Sequence, residues 1–220
     1  MSFVNKLKKL KKSYLKDLLN EEINKSNIHA CRVIDFPNGK FPKGWMDNKN
    51  TLVKSITELN EYNIITRPNR LLVIEFDKNG IEDYEVIRNS AICNINLITE
   101  FLDSIGIYYL VSDHNKYKTS YSPHLYILFS DLPIGNNHSF RKFNERMRIF
   151  FIYYLNSKLV FDARSKMDLN FCNLNGNMPL IFQIHWKGKH KGAVQELIKE
   201  SDNDNLVSMD FIINNYVKSE

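Results

Sequence analysis

Short apolar runs closed by turn residues alternate along this chain with longer stretches of helical period, and that alternation sets the first expectations. Residues 3–25 place Val4, Leu7, Leu10, Tyr14, Leu15, Leu18 and Leu19 near one stripe, predicting an amphipathic helix edged by lysines such as Lys8 and Lys12. His29 to Ile34 predicts a short strand. Pro37 to Trp45, broken by glycine and proline, predicts a loop that holds Lys40 and Lys43 between turn residues. Thr51 to Tyr62 predicts a helix with Thr51 as its N-cap. Leu71 to Asp77 is the clearest strand, a largely apolar run ending at the turn Lys78-Asn79-Gly80. Beyond it the pattern predicts a helix over 82–104, strands over 107–112 and 125–129, and a second long helix over 139–155. Further strands are expected over Leu159–Asp162 and Leu180–Ile184, and a helical tail over 207–217.

Strands alternating with helices imply an α+β domain, α/β mixed, built on a central mixed β-sheet. Flanking helices are expected to cover one face and leave the other open for binding. No internal repeat or long linker divides the chain. The organisation expected is an N-terminal basic amphipathic helix over 1–28, a main domain over 29–200, and a C-terminal helix over 201–220 packed on the same domain.

Composition narrows the class. At 220 residues, 43% hydrophobic and 25% charged, the chain has the balance of a soluble globular protein. No apolar stretch is long enough to span a bilayer, and no apolar signal core follows the charged N-terminus, so a cytoplasmic protein with no membrane partner is expected. Cys31, Cys93 and Cys172 are odd in number and far apart, which argues against a disulfide framework or a cysteine zinc site. A net charge of +5 favours contact with a polyanion without establishing it. Lys8, Lys12, Lys40 and Lys43 are the candidates for such contact, although solvated lysines on a packed surface helix explain the first two equally simply.

Four features can carry chemistry. In Leu71-Leu-Val-Ile-Glu-Phe-Asp77, strand alternation puts Glu75 and Asp77 on one face and Leu72, Ile74 and Phe76 on the other. Side-by-side carboxylates repel, and solvent, basic partners or a hard divalent cation relieve the strain. Taken alone, such a strand end is more often simply the wet rim of a sheet. Ser122-Pro-His124 opens the strand Leu125–Phe129, and a histidine there can bind phosphate, titrate, or simply hydrogen-bond a loop. Leu159-Val-Phe-Asp162 delivers another carboxylate after an apolar run, with Asp168 as a rival in more polar surroundings. Ile184-His-Trp-Lys-Gly-Lys-His-Lys-Gly192 concentrates cations around glycines, suiting either a phosphate site or a basic surface hairpin.

In this order the motifs resemble the archaeo-eukaryotic primase superfamily, in particular the small primase-polymerase domains of plasmids, viruses and mobile elements. The likeness lies in an acidic pair separated by one residue, S-x-H, an apolar residue followed by Asp, and a basic H-x-K-G segment. Gly39-Lys-Phe-Pro-Lys-Gly-Trp45 is similar to a segment that often precedes the first motif. The glutamate at position 75 departs from the commoner aspartate. The resemblance spans about residues 31 to 198.

It implies an RRM-like primase catalytic core that adds nucleotides to a primer on a single-stranded DNA template. Glu75, Asp77 and Asp162 would hold two divalent ions, magnesium or manganese. Ser122, His124, His185, Lys187, His190 and Lys191 would contact the nucleoside triphosphate. The implied setting is a nucleoid or replication complex, with any helicase or replication protein a separate chain. A non-catalytic accessory module on the same fold and a metal-dependent nuclease are the competing readings.

Overall fold

The computed structural model describes residues 32–34, 63–66, 71–80, 82–114, 123–130, 137–168, 178–179 and 195–217. The chain divides into two compact units. The first, made of residues 1–68, 114–120 and 177–197, contains a three-stranded sheet of order β1-β2-β7. Its strands are β1 (Arg32–Ile34), β2 (Asn63–Thr66) and β7 (Met178–Pro179), paired antiparallel. β1 lies within the strand expected after His29. The helices expected over 3–25 and 51–62, the loop over 37–45 and the strand over 180–184 lie outside the described residues.

The second unit, residues 69–113, 121–176 and 198–220, carries the larger elements. They are β3 (Leu71–Lys78), α1 (Tyr84–Ser104), β4 (Tyr109–His114), β5 (His124–Leu128), α2 (Asn137–Asn156), β6 (Ser165–Met167) and the end of β8 (Gln195–Glu200). A single-turn α3 (Met209–Ile212) continues into a π-helical turn over Ile213–Val217. The five-stranded sheet has the order β6-β3-β5-β4-β8. Its β3–β5, β3–β6 and β4–β5 ladders are antiparallel, and a parallel bridge joins Ile107 to Asn205. The architecture is α+β, as the alternating pattern predicts.

Sheet and helices meet across one apolar layer. Leu72, Ile74 and Phe76 of β3 are buried with Leu125 and Ile127 of β5 against Ile95, Ile98 and Leu102 of α1 and Met147, Phe151 and Leu155 of α2. Burying one such large side chain contributes on the order of 2 kcal/mol, so this layer is the main source of cohesion. Phe101 of α1 sits within 5.3 Å of Phe150, 5.1 Å of Tyr154 and 5.6 Å of Tyr216, tying both helices to the C-terminal turn.

Local chemistry sets the ends of α1. The Asp83 side chain accepts from the Glu85 and Val86 amides, satisfying two otherwise orphaned donors. At the other end Gly106, with φ of 71°, lets its own amide reach the Asp103 carbonyl and the Ile107 amide reach Leu102. A side chain there would oppose the left-handed conformation that redirects the chain into β4.

Two expectations need correction. Residues 157–160 form a turn instead of a strand leading into Asp162, with Leu159 fully exposed and Val160 63% exposed. The sheet face away from the helices is not broadly open either: Val73, Leu110, Ser112 and Tyr126, all on that face, are buried. Near the β3–β6 end of that face Glu75 and Asp77 are part-exposed. Among the described residues no helix is long and apolar enough to cross a membrane.

Candidate acidic site on the central strand

β3 is central because its apolar residues fill the core on one side while both its ladder edges find partners. Its last turn of sequence therefore delivers Glu75 and Asp77 to the opposite face together. Glu75 lies directly across from His124 on β5, and His124 lies across from Ser112 on β4. The imidazole Nε2 is 3.4 Å from Glu75 Oε2, with His124 only 1% exposed and Glu75 21%. Below this row, Ser112 Oγ donates to the Tyr126 hydroxyl at 3.2 Å. Burial pushes the Tyr126 phenol far up, so it stays protonated at any ordinary pH.

On the other edge of β3, β6 pairs Phe76 with Met167 and Asp77 with Lys166. The Asp168 amide donates to the Glu75 carbonyl at 2.9 Å and extends that register by one residue. Residues opposite each other in an antiparallel ladder share a face, so Asp168 joins Glu75 and Asp77. The result is a cross-strand row, Asp168–Glu75–His124–Ser112, with Asp77 and Lys166 alongside.

Electrostatics agree with this placement. Burial first, then the Glu75 and Asp168 carboxylates, push the Asp77 carboxyl above the ordinary carboxylate range; Lys166 and His124 pull it partly back.

Asp162 is not brought to this row. Arg164 grips its carboxylate, with Nε donating to both oxygens at 2.9 and 3.1 Å and Nη2 donating to Oδ2. The Arg164 amide adds a further bond to Oδ1 at 3.0 Å. α1 holds the backbone beneath: Asn94 Nδ2 donates to the Asp162 carbonyl at 2.8 Å, and the Asp162 amide donates to Asn94 Oδ1 at 3.0 Å. The Arg164 hydrogen bonds, above all, hold the Asp162 carboxyl down to about 2. Its environment is that of a structural anchor between a turn and a helix. Asp162, expected as the third acidic partner, is held by this anchoring apart from the row. Leu159 and Val160 before it lie in an exposed turn, and the chain joins the β3 edge only from Arg164 onward.

Ser122, His185, Lys187, His190, Lys191, Lys8, Lys12, Lys40 and Lys43 lie outside the described residues. Lys166, across from Asp77, was not singled out by the sequence. Its signal is weak: Ser165 and Met167 are buried and Lys166 exposed, a period-two pattern only three residues long.

The donor set suits a hard divalent cation. Its oxygens are carboxylate oxygens, and a bound cation would offset both the burial and the mutual repulsion that raise Asp77. Among the described residues, however, no group of three or more His, Cys, Asp or Glu side chains is already gathered around one point. Cys93, half-buried, is a free thiol and not part of the site.

No protein-family model and no curated protein sequence matches the chain. Among solved structures it is similar to the polymerase domain of Mycobacterium tuberculosis Ligase D in complex with DNA. The identity is 10%, with 93% of this chain and 88% of that chain covered and a TM-score of 0.46. So distant a likeness adds no weight to the reading of the site.

Proposed function

We propose that this chain is a template-directed nucleotidyltransferase of the primase-polymerase kind, acting on single-stranded DNA with nucleoside triphosphates. The observation that carries the proposal is the crowding of Glu75, Asp77 and Asp168 on one face of the sheet beside His124. Such crowding costs stability, which a fold keeps where chemistry needs it. Asp168 takes the third acidic place in this reading, in preference to Asp162.

Glu75, Asp77 and Asp168 are the residues that would hold magnesium or manganese. When bound, such ions supply charge neutralisation at the triphosphate and at the attacking 3′ hydroxyl. The chain itself contributes orientation and charge. Glu75 and the buried His124 imidazole pair across the β3–β5 ladder, which would steady the Glu75 carboxylate beside Asp77. Lys166 places a cation across from Asp77, on the side where a polyanionic substrate would approach. Ser122, His185, Lys187, His190 and Lys191 remain candidates for further triphosphate contacts.

A non-catalytic accessory module on the same scaffold is the second reading. It is favoured by the depth of His124, 1% exposed, and by the absence of a gathered three-ligand group among the described residues. One assay separates the two: single-stranded template, manganese or magnesium, and labelled nucleotides. Synthesis by the wild type that disappears in Asp77→Ala and in Asp168→Ala supports the enzyme. Nucleotide binding without synthesis favours the accessory module, and template degradation points to a nuclease.

A further inference from the structure

The guanidinium of Arg148 on α2 is buried, 1% exposed, in a layer otherwise made of Met147, Phe151 and Leu155. A buried cation in apolar surroundings is costly unless acceptors meet it. Here its Nη2 donates to the Val73 carbonyl on β3, and its Nη1 donates to the Asp168 carbonyl at 3.2 Å.

Those two acceptors lie where β6 ends. Along the β3 edge, the Asn79 amide bonds to Arg164 and the Glu75 carbonyl receives the Asp168 amide. In an antiparallel ladder the next carbonyl facing that edge is Val73, two residues on. β6 is Ser165–Met167, and the Arg148 guanidinium donates to that Val73 carbonyl. A buried carbonyl left unmet would cost stability, so the position is chemically constrained. The same side chain also holds the Asp168 carbonyl, on the far side of the peptide unit that must stay flat against β3.

We infer that Arg148 is a positioning residue for the acidic row: it bridges the Val73 carbonyl on β3 and the Asp168 carbonyl just past β6, and so holds Asp168 opposite Glu75. It touches no substrate and acts through Asp168. The inference rests on the reading of Glu75, Asp77 and Asp168 as a cation-binding set, and it adds the element that keeps the third carboxylate in register.

The test compares the full-length wild type with Arg148→Lys, Arg148→Met, Asp168→Asn and the Arg148→Lys/Asp168→Asn double variant. Lysine keeps the charge but has no fork to bridge two carbonyls. It guards against the methionine variant simply failing to fold. Two signals are read: amide hydrogen exchange residue by residue, and manganese affinity by electron paramagnetic resonance. In Arg148→Lys the Asp168 amide should exchange about tenfold faster while the amides of Leu125 to Leu128 keep their wild-type rates. Manganese affinity should fall about tenfold, as for the loss of a residue that orients a ligand, and the double variant should bind no more weakly than Asp168→Asn alone.

Unchanged protection at Asp168 would overturn the inference. So would a uniform rise in exchange across β3 and β5, or additive losses in the double variant. If the wild type itself binds no manganese, the functional reading falls separately, and the exchange of the Asp168 amide alone decides for or against Arg148.

Discussion

Asp77 in β3 and Asp162 just before β6 are the same residue type, and their surroundings push them in opposite directions. Asp77 is half-buried on a sheet face shared with two other carboxylates, and burial first, then their charge, holds it above the ordinary range. Asp162 meets an arginine fork and is held at about 2. The second arrangement is what stability alone favours, because every oxygen lone pair it uses finds a donor. The first is what stability alone would remove. A carboxylate cluster that opposes folding is therefore the better candidate for chemistry, and a well-satisfied carboxylate the better candidate for structure.

That contrast can be broken most sharply by activity. Asp77→Ala and Asp168→Ala are each expected to lower templated synthesis about a thousandfold or more, while Asp162→Ala should stay within about threefold of wild type. Primer-extension rates measured at equal folded protein check this, and a large loss in Asp162→Ala would reverse the assignment.

Stability should order the same residues the other way. Asp162→Ala is expected to cost about 1 kcal/mol by urea denaturation, a figure kept low because Arg164 is half in solvent. Its pH dependence follows from the sign of the shift. A carboxyl lowered in the folded state lends stability above its unfolded pKa of 3.8 and loses it as pH falls toward about 2. Asp162→Asn should erase that acid-side slope.

Asp77→Asn should do the reverse and raise the melting temperature, by about 2–4 °C at neutral pH without metal. With the carboxyl raised in the folded state, both states are protonated well below pH 3.8, and the penalty appears as pH climbs through the folded value. The gain from Asp77→Asn should therefore vanish in acid. Millimolar manganese should also reverse it, since the wild type alone would be stabilised by the ion. A pH-independent gain would mean that the cost of charging Asp77, from burial and from its neighbouring carboxylates, is not its origin.

The smallest effect is expected at the exposed pair Lys78–Glu82, 2.7 Å apart and open to solvent. Glu82→Gln should leave the denaturation midpoint unchanged within error. This would show that the Asp162–Arg164 effect depends on anchoring as well as charge.

How far the sequence disclosed this depends on how local each signal is. β3, α1, β5 and α2 were legible because the apolar period in each runs over several residues. Glu75, Asp77 and His124 could be placed with them, since period two fixes a face without any knowledge of neighbours. β6 is three residues long and β8 largely polar, so both are defined by their pairing partners and not by their own composition. Asp162 was preferred over Asp168 for the same reason. Hydropathy cannot tell an apolar run in an exposed turn from one in a buried strand until the partner strand is known. Arg148 left one usable sign, a cation lying between Met147 and Phe151 on the stripe that faces the core.

The pairing of Asp168 with Glu75 also sets an order of events during synthesis of the chain. β3 emerges early and its other neighbour, β5, follows before α2, but the strand that completes its second edge comes only after that whole helix. A loop of that length must close before the late contact stabilises anything. Until then the nascent chain presents β3 with one edge unpaired and two of its carboxylates without the third. The acidic row is thus a late-assembling feature, and Glu75 and Asp77 at that bare edge give a half-built sheet negative charge that discourages pairing with a second chain.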